Sequence, residues 1–235
     1  MYVAFSNVSI ISSKFAHNAA EIGGVILAKK SSLYVIRSEF FENSASFGGG
    51  MITTESIVLI DASSFSEHTA EISGGMMVAY KGSFFISGTL FNNNSAGINS
   101  GVMETYNIAI DIIDSSFSNN KASDYCGVIC AINSTFRVTK STFTSNRATA
   151  DDGGSGVMAA FRSSFIINCS TFADNSATFN GVMNIADGSI VDLVNCTFTS
   201  NRAILYAGVM AVLGKSSVST TSSTFTNNTG GVMRT

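Results

Sequence analysis

A short motif, S-x-F-x-x-N-x-A, returns along the whole chain at an almost constant interval. Its phenylalanines are Phe15, Phe40, Phe65, Phe91, Phe117, Phe143, Phe172, Phe198 and Phe225, separated by 25, 25, 26, 26, 26, 29, 26 and 27 residues. Asn stands three residues after the Phe at Asn18, Asn43, Asn94, Asn120, Asn146, Asn175, Asn201 and Asn228; His68 takes that place once. A Gly followed by two apolar residues comes next, as in Gly24-Val25-Ile26, Gly50-Met51-Ile52, Gly75-Met76-Met77 and Gly101-Val102-Met103. A third apolar or alternating segment, such as Leu33-Tyr34-Val35-Ile36, precedes the following Phe. Self-similarity at this period marks a solenoid, in which each unit buries its apolar side only by stacking on its neighbours. Three strand-like pieces per unit, and no ten-residue amphipathic stretch, predict a three-sided coil of parallel β-structure.

The expected architecture is therefore all-β: a right-handed parallel β-helix of about eight coils of about 26 residues, forming one domain over residues 1–235. Equivalent residues of successive coils stack about 4.8 Å apart. Phe over Phe then fills the interior, and Asn over Asn forms a corner ladder in which side-chain amides satisfy one another and the turn backbone. Proline is absent, in keeping with an unbroken backbone ladder.

Composition narrows the function classes. Only 12% of the residues are charged and the net charge is −3, which argues against a nucleic-acid partner. No apolar run approaches the roughly 20 residues of a membrane-spanning helix. The first residues, Met1-Tyr2-Val3-Ala4-Phe5-Ser6, lack the basic and apolar regions of a signal peptide. Sugar-cleaving sites on such scaffolds need carboxylates clustered on one face with basic partners. Asp61, Asp111, Asp114, Asp174, Asp187 and Asp192 fall in different columns, and no basic partner is in register with them, so the chain reads as a non-enzyme. No cofactor or metal is expected. His17 and His68 lie in different columns and read as structural. Asp151-Asp152-Gly153-Gly154, in the one enlarged coil, could offer carboxylate and carbonyl oxygens to calcium, but reads as a solvated insertion.

Cysteine leaves one candidate disulfide, Cys169–Cys196, at near-equivalent places in adjacent coils. Cys126 and Cys130, about 13 Å apart along an extended strand, are expected not to pair. Sequons at Asn7, Asn93, Asn133, Asn168, Asn195 and Asn227 are candidate glycosylation sites. None coincides with a ladder asparagine.

Two outward arrays suggest partners. Thr142/Thr144, Thr197/Thr199 and Thr224/Thr226 flank the Phe column, and rows of that kind suit an ice-binding face. The residues after Gly suggest an interface: Val25, Met51, Met76, Val102, Val128, Val157, Val182, Val209 and Val232 in one column, with Ile or Met in the next. Successive strand residues point to opposite faces. Unless a corner falls between these columns one of them lies outside, and the expectation is that the Val column does so and packs on a second copy.

The F-x-x-N motif, followed by Gly-Gly and apolar residues, resembles the repeats of the chlamydial polymorphic outer-membrane proteins and of related microbial surface proteins. The resemblance covers essentially the whole chain, although Val or Met replaces the usual Ala after the glycines. It implies a pectin-lyase-like β-helix at the cell surface or outside the cell. The expected function is accordingly structural or adhesive, through self-association and contact with surface glycans. An ice-binding solenoid and a carbohydrate-active enzyme are the alternatives. The sequence runs to Gly231-Val232-Met233-Arg234-Thr235 with no polar cap at either end, which suggests either head-to-tail stacking into filaments or a piece of a longer solenoid.

Overall fold

The computed structural model describes residues 1–149 and 154–235. They form a parallel β-solenoid of about nine coils, one more than expected, with no helix among the described residues. Three sheets run along it. A nine-stranded sheet begins at Lys14–Ala16 and ends at Thr224–Thr226, and carries the Phe column. A seven-stranded sheet of short strands, from Ser44–Phe47 to Arg202–Ala203, carries the Ala column. The third, sixteen-stranded, holds both the Gly-proximal strands and the strands preceding each Phe, which fuse in Met51–Asp61, Met77–Ser87 and Met103–Ile113.

Each coil turns at corners where one residue takes a positive φ, for example Asn119 (56°), Lys140 (50°) and Asn133 (50°). Such a residue interrupts the strand, and the next backbone N–H finds no carbonyl above it. A side chain of the following coil supplies the acceptor. Ser115 N–H donates to Ser141 Oγ (3.2 Å), Ser134 N–H to Ser163 Oγ (3.0 Å) and Asn120 N–H to Asn146 Oδ1 (3.0 Å). Three polar columns result. One contains Ser6, Ser31, Ser56, Ser134, Ser163, Ser189 and Ser216, a second runs from Ser13 to Ser223, and the third is the Asn ladder. The first two are seven residues apart in every coil and the second and third five. The span from Asn to the next coil's first corner varies from 13 (Asn18 to Ser31) to 17 (Asn146 to Ser163).

The Asn side chains are fully engaged. Asn120 Nδ2 donates to Asn146 Oδ1 (3.0 Å) and to the Phe91 carbonyl (3.0 Å), while its Oδ1 accepts from both Asn94 Nδ2 and Asn94 N–H. Asn18 and Asn43 begin this ladder, and Asn175, Asn201 and Asn228 continue it. Beside it the phenylalanines stack with centroids 4.6–5.4 Å apart from Phe40 through Phe225. Phe15 and Phe225, in the end coils, are half-buried; Phe40, Phe65, Phe91, Phe117, Phe143, Phe172 and Phe198 are fully buried. A second pair, Phe136 over Phe165 (4.6 Å), fills the opposite side of the core.

The expectation for the column after Gly is corrected. Val25, Met51, Met76, Val102, Val128, Val157, Val182 and Val209 are buried, and only Val232, in the last coil, is exposed. The Ile and Met residues beside the buried ones are buried as well, and Met233, beside Val232, is exposed; both columns turn inward because the chain bends between them. The Val128 carbonyl accepts from two successive N–H groups, Val102 (3.2 Å) and Met103 (2.9 Å), which a straight strand points in opposite directions. Met51 also changes column. Gly49, not Gly50, stacks under Gly75, so Met51 pairs with Ile26 and Met77. Only glycine fits that column: a Cβ on Gly127 would stand 2.0 Å from the Gly156 carbonyl oxygen.

Two outcomes check this packing. Phe117→Ala should lower stability by about 3–5 kcal/mol, read by chemical denaturation. Val128→Lys should unfold the chain or abolish soluble expression, since the ammonium would enter a dry core; a folded Val128→Lys protein would return this column to the surface.

Candidate functional site

His68 occupies an Asn position, fully buried between Asn43 and Asn94. Its Nδ1 accepts the Asn43 N–H (3.1 Å), as an Asn oxygen would, and its own N–H donates to Asn94 Oδ1 (3.1 Å). That use of Nδ1 leaves the proton on Nε2, which has no partner. Burial lowers the His68 pKa to about 4. His17 lies outside instead, exposed, with Nδ1 2.9 Å from Glu42 Oε2.

A second polar cluster was not foreseen from sequence. Glu104 belongs to a column that points away from the core, with Ile52, Val78, Cys130 and Ala159, yet is almost wholly buried. Corner segments before the glycines fold over this column. Glu104 Oε1 accepts from Tyr106 OH (2.6 Å) and Asn99 Nδ2 (3.0 Å), and Oε2 accepts from Ser73 Oγ. Burial raises the Glu104 pKa, and the Tyr106 and Asn99 hydrogen bonds oppose the rise. Burial and the same carboxylate push the Tyr106 phenol up, and Tyr106 stacks on Tyr80 at 5.0 Å. With its oxygens already engaged and little access to solvent, Glu104 ties the corner segments of neighbouring coils to the sheet. A lone acid in a column that is apolar from Ile52 to Ala159 was the only sequence signal.

The cysteines are all free thiols. The offset of one residue separates Cys169 from Cys196: Cys169 is an exposed corner residue at positive φ (50°), whereas Cys196 is buried in the second serine column. The candidate bridge is therefore not formed. Cys196 hydrogen-bonds the Ile167 carbonyl (3.3 Å), and burial raises its pKa. Cys126 and Cys130, expected to lie far apart, share one small buried cluster, because the chain turns a corner at Gly127 between them. Burial first, and Cys130 second, raise the Cys126 pKa.

The expectation that no basic residue is in register with the acids is corrected. Asp111 lies in register with Arg137 (3.6 Å), and Asp187 is 3.6 Å from Arg162. These pairs are exposed, and pairs of that kind add little stability. No group of three His, Cys, Asp or Glu residues able to hold a metal occurs among the described residues. Asp151 and Asp152 lie outside them. Of the sequons, Asn7, Asn93, Asn133, Asn195 and Asn227 are exposed and Asn168 is half-buried; Asn133 Oδ1 accepts from Arg162 Nε (3.0 Å).

His68→Asn should restore the amide ladder and raise stability at acid pH. Folding holds His68 neutral down to about pH 4, while the unfolded chain protonates near 6.5. The unfolded state thus binds more protons in this window. Stability contributed by the neutral ring is complete above about pH 6.5 and declines as pH falls to about 4, by about 3 kcal/mol. Melting temperatures of both proteins from pH 4 to 8 should diverge on the acid side; parallel curves would place the ring in contact with solvent.

Against protein-family profiles, curated proteins and solved structures, no match to this chain is found, and the likeness to the chlamydial repeats rests on the motifs alone.

Proposed function

We propose that the chain is a structural, adhesive β-solenoid of the cell surface or extracellular space, that it self-associates, and that it is not an enzyme. The observation that carries this reading is an outward apolar face. Tyr34, Leu59 and Phe85 stack in one column across three coils. Tyr34 and Phe85 are exposed, and Ile57, 59% exposed, and Ile11 stand beside them. A contiguous exposed apolar patch marks an interaction surface. A second copy suits it, because two solenoids share one coil spacing and keep their rows matched along their length. This face takes over the role first expected of the buried Val column. Head-to-tail stacking belongs to the same reading: a second copy, like further coils of the same chain, would cover the half-exposed Phe15 and Phe225.

Leu59→Lys with Phe85→Lys should disperse lateral assemblies in light scattering and electron microscopy while leaving the melting temperature within a few degrees. A wild-type chain that stays monomeric at high concentration, or a variant that assembles unchanged, would sink the proposal.

Ice binding is a second reading, favoured by one observation. Thr142, Thr171, Thr197 and Thr224 form an uninterrupted outward ladder, with Thr144, Thr199 and Thr226 in the neighbouring column. Thermal hysteresis lost in Thr171→Lys would select it.

A further inference from the structure

All five ion pairs among the described residues join neighbouring coils, as in Lys14–Glu39, Lys30–Glu55 and Asp111–Arg137. The seven-stranded sheet has a different arrangement. Its outward column runs Lys121, Arg147, Ser176, Arg202 in strict register. Lys121 and Arg147 are stacked like on like, an arrangement that costs stability. All three basic residues are exposed, and none has an ion-pair partner among the described residues. Between the two arginines lies a depression of about 360 Å³, lined also by Thr149, Ser176, Thr178 and Ile204. A larger depression of about 490 Å³ lies beside Lys30 and Glu55, but its charges neutralise each other across 3.7 Å.

We infer that the Arg147–Arg202 depression binds an acidic polysaccharide, one bearing sulfate or carboxylate groups. This deepens the adhesive reading and rests on it. Each guanidinium can grip an oxyanion through two parallel N–H donors. Two coils separate the arginines, about 9–10 Å by strand spacing, too far for one sulfate to bridge and close to the length of a disaccharide. A polymer with a charge on each disaccharide meets both. The hydroxyls of Thr149, Ser176 and Thr178 match sugar hydroxyls between the charges, and Ile204, 67% exposed, offers an apolar edge to a ring face. Single-stranded nucleic acid fits less well, because such sites stack bases on aromatic side chains and none lines this one.

The test is titration of the full chain with heparin fragments, polygalacturonate, neutral dextran and single-stranded DNA at low and physiological salt. Binding to the sulfated or the carboxylated polymer should weaken as salt rises, and the two arms tell which anion is preferred. Arg147→Gln with Arg202→Gln should lose at least tenfold in affinity with an unchanged melting temperature. Arg137→Gln, on another face, should change it less than twofold. Absence of binding to both acidic polymers, equal binding of dextran, equal affinity of the double variant, or a preference for DNA would each overturn the assignment. Light scattering on the same samples separates the two proposals, because assembly rests on Leu59 and Phe85 and polysaccharide binding on the arginines.

Discussion

The structure depends on how a backbone N–H is satisfied at a corner. Parallel strands donate along the axis, and a residue at positive φ breaks that donation for the group after it. A buried N–H left without a partner costs about as much as a lost hydrogen bond or more. Here a Ser hydroxyl or an Asn amide of the next coil takes the N–H, and its own column-mate repeats the act one coil further on. The sharp corner, the polar residue after it and the fixed length between corners are thus one requirement. Where the residue changes, the acceptor persists: His68 offers Nδ1 and Cys196 offers sulfur.

Much of this was legible because identical residues recur at fixed spacing. Phe and Asn stand out, being large or rare enough that their period is visible, and both columns lie where the period puts them. The first serine column went unseen, since serine is abundant and Gly82 and Ile108 interrupt it. The Val column was misplaced for another reason. Alternation along a strand assumes a straight strand, and the bend that turns both columns inward shows only in the paired hydrogen bonds to one carbonyl. The corner at Gly127 likewise brings Cys126 and Cys130 into one cluster, where a distance along an extended chain had kept them apart. Glu104 hides in a column that faces outward by parity but is roofed by corner segments, a tertiary fact that no local pattern encodes.

The outer surfaces have separable characters because the core leaves them free to differ. The Phe-bearing sheet shows hydroxyls over its later coils, the strands before Phe show Tyr34, Leu59 and Phe85, and the short-strand sheet shows Lys121, Arg147 and Arg202. A solenoid fixes the height of every residue along its axis. Surface chemistry on it is therefore written in rows whose spacing is set before any partner arrives, which lowers the ordering cost of binding something that is itself periodic.

The constancy of the seven- and five-residue spans, against a third span of 13 to 17, divides the coil into a ruler and a blank. An added residue in either short span would move a polar acceptor out of its column and strand an N–H. One added before the glycine lengthens a surface segment and leaves all three columns aligned. Divergence by insertion is channelled to the third span: in two coils to a turn after the glycine, at Asp187-Gly188 and Gly214-Lys215, and otherwise to the edge of the rod before it. That edge is where foreign loops could be grafted, and where coils could be shuffled between solenoids of the same ruler without refitting their cores.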